Sequence, residues 1–358
     1  MATVKVNLGE DSYEIEIRRG LLDEVGEKIR SITPKAEKAA VITDDNVSPL
    51  YGARFKKILE KSGFEVRIIS FPAGEESKNL GTFGNVLNAL AEFDMSRSDV
   101  LVTLSGGVPG DLGGFAASAY MRGIPFYQIP TSILAQIDSS VGGKVAVDLP
   151  GGKNLAGAFY QPKGVFIDPD LLETLPTRYV HDGLAEAVKY GCIGDAELFE
   201  IFENLKDRED LKAHIEEIIL HCVLQKARVV EEDQFDNGGR QVLNFGHTIG
   251  HGVERYFNYG TYTHGEGVAI GMSLITAQSE KLGITEKGTA ERILKVLKKL
   301  SLPTSIGIPA NELIPEIMHD KKRRGKKMTL VLLEKIGKSK LLTISTDELK
   351  KYIVTGQD

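Results

Sequence analysis

Two short strings hold most of the imidazole chemistry open to this chain: LNFGHTIGH at 243–251 and THGEG at 263–267. Between them they carry His247, His251 and His264, three of only seven histidines. Upstream, DGLAEAVKYG at 182–191 sets Glu186 and Lys189 three apart, on one face of a helix whose other positions are apolar. Two imidazoles and one carboxylate, with a fourth position open, form the ligand set of a catalytic zinc site. The His-x-x-x-His spacing taken alone fits a metal pair, a proton relay or a helix with two solvated imidazoles. Glu186 with Lys189 alone fits a structural ion pair. Arg240 and Asn244, in GGRQVLNFGH, add a cation and an amide to the same stretch.

A second group lies in the first half. LVTLSGGVPGDLGGF at 101–115 reads as a buried strand running through glycines into a helix, where free backbone N–H groups cradle a pyrophosphate. A G-x-G-x-x-G fingerprint needs glycine at 105, where this chain has Ser105, so a plain tight turn fits as well. PAGEESK at 72–78 puts Glu75 and Lys78 after another strand, and TDDN at 43–46 puts acids where ribose hydroxyls could be held or a helix capped. AQIDSSVGGKVAVDLPGGKN at 135–154 sets Asp138, Lys144, Lys153 and Asn154 among glycines. It reads as a loop suited to a small polyhydroxylated anion, because SSVGG has no packing role on an exposed strand.

The elements that must position these residues follow from hydrophobic period. Residues 2–18 alternate on both sides of GEDS, as a hairpin does. Short β-rich runs at 38–43, 65–71, 99–104, 125–130 and 164–168, with helical patterns at about 48–62 and 80–93, give βαβ order and a mostly parallel sheet. After Pro169 the pattern changes to long helical segments at about 183–203, 208–231, 242–257, 263–281 and 288–300. The expected division is an α/β domain over 1–174 and a mainly helical domain over 175–358. With 358 residues, 42% apolar, 26% charged and a net charge of −6, the chain has the composition of a soluble globular protein and gives no reason to expect nucleic acid. No stretch long enough to span a bilayer and no signal-peptide pattern is expected. Cys192 and Cys222 form no C-x-x-C pair, which fits a reducing cytoplasm.

The strings GDLGGFAASAYMRGI, IDSSVGGK, GKNLAGAFYQP, GLAEAVKYG, LNFGHTIGH and HGEGVAIGM occur here in an order and spacing that closely resemble the 3-dehydroquinate synthase family of sugar-phosphate cyclases. The likeness runs from the acids near 44 to HDKK at 319–322. It implies a dehydroquinate synthase-like fold: a Rossmann-like NAD-binding α/β domain, then a helical metal-binding domain. It implies the conversion of 3-deoxy-D-arabino-heptulosonate 7-phosphate to 3-dehydroquinate and phosphate, through transient oxidation by NAD⁺, elimination, reduction, ring opening and aldol closure. Carried over by motif position, the metal ligands are Glu186, His247 and His264, for Zn²⁺ or Co²⁺. The substrate residues are Asp138, Lys144, Asn154, Lys189, Lys226, Arg240, Asn244, His251 and Lys322, with Arg122 reaching the phosphate across a homodimer interface. The cofactor residues are Asp44, Glu75, Lys78, Gly106, Gly107, Val108, Asp111, Thr131, Ser132, Lys144 and Lys153.

The chain departs from the family pattern at Ser105, at Ser132, at KVAVD (144–148) in place of KTGVN, and at Leu171 and Tyr179. These put the fine cofactor contacts in question. The competing functions are a cyclase for another ketose phosphate, a metal-dependent polyol dehydrogenase, and an NAD-responsive binding protein without turnover.

Overall fold

Continuous apolar runs bury both faces of a strand, and the sheet grows from such runs. In the computed structural model, which describes residues 2–319 and 327–355, β1 (Ala2–Val6) and β2 (Tyr13–Ile17) form an antiparallel pair. β3 (Lys38–Asp44), β4 (Glu65–Phe71), β5 (Val100–Ser105) and β6 (Phe126–Pro130) alternate with helices. β7 (Lys144–Leu149) and β8 (Gly152–Phe159) make a separate hairpin, and β9 (Gly164–Ile167) returns to the sheet. The order is β1-β2-β9-β6-β5-β3-β4, and every pairing except β1 with β2 is parallel.

Alternate residues of the central strands feed two cores, one per face. Val41, Val102, Leu104, Tyr127 and Ile129 join Ile29, Phe55 and Leu59 of the helices Val25–Ile32 and Ala53–Lys61. Ala40, Ile42, Leu101 and Phe126 join Val86, Leu90, Leu112 and Ala116 of the helices Leu80–Glu92 and Gly107–Ala119. This period of two is what a sheet covered on both sides requires. Each fully buried Leu, Ile or Phe contributes about 1.5–3 kcal/mol relative to exposure.

Chain contacts group the residues up to Leu175 with Lys226–Phe235 as one unit, and Pro176–Gln225 with the residues after Phe235 as the other. The second unit is mainly helical: Thr177–Gly194, Ala196–Asn204, most of Arg208–Glu232, His247–Tyr256, His264–Lys281, Thr289–Lys299 and Ala310–His319. It also holds a hairpin of β10 (Lys327–Lys335) and β11 (Lys338–Ser345). Among the described residues no helix is long and apolar enough to cross a membrane.

Local details differ from the expectation. The helix expected over 183–203 is two, broken where Asp195 accepts from Leu198 N at 3.0 Å and His221 Nδ1 lies 2.7 Å from its other carboxylate oxygen. The segment 135–154 is not one loop: most of it is a short turn followed by the β7–β8 hairpin. SSVGG is also a packed segment. Ser140 and Val141 are buried, Gly142 N donates to Tyr13 Oη at 3.0 Å, and a Cβ on Gly143 would sit 2.7 Å from the Gln161 side chain. Those glycines answer to the backbone (φ +95° and +64°) and to Gln161, so the small residues are no sign of a ligand.

Candidate active site

The expected residues fall into two groups, one in each unit. In the second, Glu186 and Lys189 lie on the helix Thr177–Gly194, which is buried throughout from Asp182 to Ile193. His247 is the first residue of its helix. It follows Gly246, which is left-handed (φ +80°) and has no room for a side chain, since a Cβ would lie 2.7 Å from Val268 O. His264 opens the next helix behind a capping box of Thr263 and Glu266, and Arg178 holds Glu266 with two hydrogen bonds of 3.1 and 2.8 Å. Glycines let these helices meet backbone to backbone. A Cβ on Gly271 would stand 1.9 Å from Gly246 O, on Gly250 2.9 Å from Gly267 C, and on Gly265 2.0 Å from Asp182 O.

The result is a convergence of donors. His247 Nε2 and His264 Nε2 lie 3.5 and 3.6 Å from Glu186 Oε1. One ligand atom from each of the three residues falls within 4.8 Å of the others. His247 Nδ1 faces Phe245 O at 3.1 Å, and His264 Nδ1 faces Glu254 Oε1 at 3.3 Å. A carbonyl and a carboxylate each hold the Nδ1–H, so an ion can take Nε2, through the lone pair of the neutral ring at His247 and by displacing a proton at His264. Lys189 Nζ donates to Glu186 Oε2, while Oε1 is buried without a hydrogen-bond partner. A buried carboxylate oxygen in that state calls for a cation.

His251, Glu254 and His264 form a second set of close ligand atoms. There Glu254 already accepts from His264, and His251 is exposed. The set with the orphaned oxygen therefore has the greater need of an ion, and its donors fit one. The His251 ring lies 5.4 Å from that of His247 and 5.8 Å from that of His264, beside the cluster. Burial holds His247 well below the usual imidazole pKa, with Lys189 and His264 adding to the effect. Burial also opposes charge on His264, but the Glu254 hydrogen bond and Glu186 outweigh it and raise that imidazole to about 9.

Arg240 is buried and Asn244 exposed, in the turn Gly239–Asn244 that leads into the His247 helix. Lys322 lies outside the described residues. Glu254 was not foreseen. Its signal was present in HTIGHGVE, where 247, 251 and 254 share a helical face and the carboxylate joins two imidazoles.

In the first unit, β5 ends at Ser105 and the helix Gly107–Ala119 begins behind Gly106. The glycines here do two jobs. A Cβ on Gly113 would lie 2.6 Å from Thr103 Cγ2, and on Gly114 2.4 Å from Val145 Cγ1, so both serve close helix packing. On Gly106 and Gly107 it would meet only Ser132 Oγ at 3.6 Å and Ser139 Oγ at 3.4 Å, ordinary contacts. The helix N-terminus, with Val108 in its first turn, thus stays open to an anion.

Thr131 and Ser132 follow β6 beside it, with Thr131 N donating to Ser105 O at 2.9 Å. Lys78 is buried and ion-paired to Asp111 at 2.5 Å. Burial pushes the Asp111 carboxyl up to about 6, although the Lys78 charge pulls the other way. Asp44, at the end of β3, accepts from Asn46 N and Val47 N and is raised mainly by burial. Glu75 meets Lys153 at 3.3 Å, Lys226 pairs with Asp138 at 2.6 Å, and Lys144 is exposed at the start of β7. Lys153 and Asn154 lie on β8.

Arg122 is not with this group. It sits in the turn Tyr120–Arg122, which precedes β6, and Pro125 O accepts from Leu101 N at the start of β5. Gly106 is beyond the other end of β5, about 17 Å from Leu101 at ~3.3 Å per residue. Two departures have plain structural explanations: Leu171 is part of the core beside Phe166, and Ser105 Oγ donates to Gly106 O at 3.0 Å with a negative φ that needs no glycine. Tyr179 is exposed, and nothing in the structure explains it.

Comparison with known proteins gives a consistent result. A family model described as 3-dehydroquinate synthase N-terminal matches residues 68–182, and one described as 3-dehydroquinate synthase C-terminal matches 183–323. A curated protein of Clostridium acetobutylicum named 3-dehydroquinate synthase is 51% identical over 354 residues, 99% of each chain. A solved 2-deoxy-scyllo-inosose synthase, complexed with carbaglucose-6-phosphate, NAD⁺ and Co²⁺, is similar with a TM-score of 0.86 and 26% identity over 98% of both chains. A 2-epi-5-epi-valiolone synthase from Streptomyces hygroscopicus with NAD⁺ and Zn²⁺ bound has a TM-score of 0.84 at 26% identity over 96% of both.

Proposed function

The chain belongs to the 3-dehydroquinate synthase family, and from that premise we propose how its own residues carry the reaction. The substrate is 3-deoxy-D-arabino-heptulosonate 7-phosphate and the products are 3-dehydroquinate and phosphate. Residues 1–174 hold NAD, and residues 175–358 hold a divalent metal and part of the substrate. The observation that carries the reading is Glu186 Oε1, buried without a hydrogen-bond partner and faced by two imidazole nitrogens whose other ring atoms are engaged.

When bound, the ion supplies Lewis-acid polarisation of a substrate hydroxyl, and NAD⁺ supplies a hydride acceptor that returns the hydride within one turnover. The protein does the rest. Lys189 neutralises Glu186 on one oxygen and leaves the other for the ion. His251, beside the cluster and exposed, is placed to donate a hydrogen bond or move a proton at the substrate. Lys144, Lys226, Arg240 and Lys322 meet the phosphate and carboxylate, with Asp138, Asn154 and Asn244 as hydrogen-bonding partners. Asp44, Glu75, Lys78, Asp111, Thr131, Ser132 and Lys153 would hold the nucleotide, with the N–H groups at Gly106, Gly107 and Val108 open to its pyrophosphate. Arg122 stands at the opposite end of β5, which supports its acting in the site of a second copy and hence a homodimer. The reaction supports a cytoplasmic location.

The test is a phosphate-release assay with the heptulosonate phosphate, zinc-loaded protein and NAD⁺ far below the substrate concentration. Phosphate should accumulate over many turnovers per NAD⁺ with no rise in NADH. NADH formed one for one with product, or no phosphate at all, would overturn the reading.

A further inference from the structure

We propose that Asp148, which stands where the family pattern has asparagine, is a positioning residue. It holds the strand bulge that carries Lys153 and Asn154 and docks that bulge on the turn that delivers Lys78. This deepens the reading above and rests on the roles given there to those three residues.

The register of the β7–β8 hairpin shows the device. Val147 pairs with Ala156 and Leu149 with Gly152, so between these rungs β7 spends one residue, Asp148, while β8 spends three, Lys153, Asn154 and Leu155. Extra residues on one strand bend it and turn their side chains away from the regular alternation, a device that recurs beside active sites. Here the bulge also puts Asn154 in the left-handed region (φ +54°), which asparagine adopts more readily than most residues with side chains but which its surroundings must still fix. What fixes it is Asp148, whose Oδ1 accepts from Asn154 N at 2.7 Å.

The backbone of the same residue faces the other way. Asp148 N donates to Lys78 O at 2.8 Å, and Asp148 forms an isolated parallel bridge with Asn79. Lys153 Nζ then closes the assembly by reaching Glu75 at 3.3 Å, on the turn just before Lys78. One residue thus joins the segment bearing Glu75 and Lys78 to the segment bearing Lys153 and Asn154. The family's asparagine presents the same acceptor oxygen, so the substitution keeps the anchor while changing the charge.

The test compares Asp148→Ala and Asp148→Asn with the wild type in the zinc-loaded full chain. The readouts are KM and kcat for phosphate release, the Kd of NAD⁺ by titration, and thermal melting. Loss of an acceptor to a strained backbone N–H should raise KM and the NAD⁺ Kd on the order of tenfold in Asp148→Ala, with a smaller change in kcat. Asp148→Asn should return both constants to within about twofold of wild type, because the acceptor survives. Unchanged constants in Asp148→Ala, whether or not its melting temperature falls, would overturn the proposal. So would an Asp148→Asn protein as impaired as Asp148→Ala, since charge would then be the relevant property. If the wild type released no phosphate, the reaction assignment would fail, while the NAD⁺ titrations would still decide Asp148.

Discussion

Each unit contains a helix that starts at a glycine and a buried lysine paired with a carboxylate, yet the two assemblies use these parts differently. In the first, a Cβ on Gly106 or Gly107 would make only ordinary contacts with Ser132 and Ser139, and Lys78 is paired with Asp111. In the second, Gly246, Gly250, Gly265 and Gly271 are filled by neighbouring backbone, and Lys189 engages one oxygen of Glu186 while the other faces two imidazoles. Gly106 and Gly107 leave room for a ligand, whereas Gly246, Gly250, Gly265 and Gly271 let helices meet so that three side chains converge. The difference separates two kinds of residue that look alike in a sequence: those that touch the ligand and those that let other residues touch it.

The strongest way to break that comparison is at the convergence itself. If Glu186, His247 and His264 are the metal's protein ligands, His264→Ala should lower zinc affinity on the order of 100-fold or more, beyond the loss typical of an outer-shell partner, and remove turnover. His251→Ala should retain zinc and lose activity by about 10²–10⁴-fold, the usual value of a proton-transfer group. Metal content and competitive zinc titration on the two purified proteins separate the alternatives. Zinc kept by His264→Ala and lost by His251→Ala would overturn this ligand set and hand the metal to the His247–His251 pair.

Next in size is a matched pair of glycine substitutions. At Gly271 an added Cβ meets Gly246 O at 1.9 Å, a backbone atom that cannot move without parting the two histidine helices. Gly271→Ala should cost about 3 kcal/mol or more, the upper range for overpacking, and should weaken zinc binding with it. At Gly106 the backbone is extended and the new methyl meets nothing closer than 3.6 Å. Gly106→Ala should leave stability within about 0.5 kcal/mol of wild type, yet weaken NAD⁺ about tenfold by crowding the N–H groups. Chemical denaturation and nucleotide titration read the two quantities separately. Equal stability loss at both positions would erase the distinction between open and filled glycines.

Much of this was legible before any coordinates. The runs at 38–43 and 99–104 became β3 and β5 because an apolar stretch of that length can be buried on both faces, while EVRIISF at 65–71 became β4 at the sheet edge, where most residues stay partly exposed. The later segments became helices because their apolar residues recur with the helical period. The imidazoles and Glu186 could be singled out by type and spacing. What periodicity could not show was anything that depends on a distant partner. The hairpin over 144–159 was hidden because DLPGGKN reads as turn residues, and its bulge is set by a carboxylate six residues from the N–H it holds. Gly265 and Gly271 gave no sign of the carbonyls they accommodate, which belong to residues 182 and 246. Glu254 is not singled out by sequence because a lone acid on a helix usually reads as a solvated or structural group. Its role becomes visible only when His264, ten residues on, folds against it.

The smallest expected effect is a slope with pH, and it contrasts the two buried lysine–carboxylate pairs. Burial lifts the Asp111 carboxyl from 3.8 to about 6, against the pull of Lys78. The folded chain therefore binds this proton more tightly than the unfolded chain does. Its contribution to stability is present in full below about 4, is lost as pH rises toward about 6, and is constant above that. Asp111→Asn cannot titrate and should lack this component. Melting temperatures of the two proteins, compared without metal or nucleotide, should show wild type losing ground to the variant between about pH 4.5 and pH 7. A difference that stays flat, or that grows in favour of wild type, would mean that the Lys78 charge and not burial governs Asp111. In that case the first unit's pair would be an ordinary ion pair, satisfied without any ligand, and only the second unit's carboxylate would be left calling for a cation.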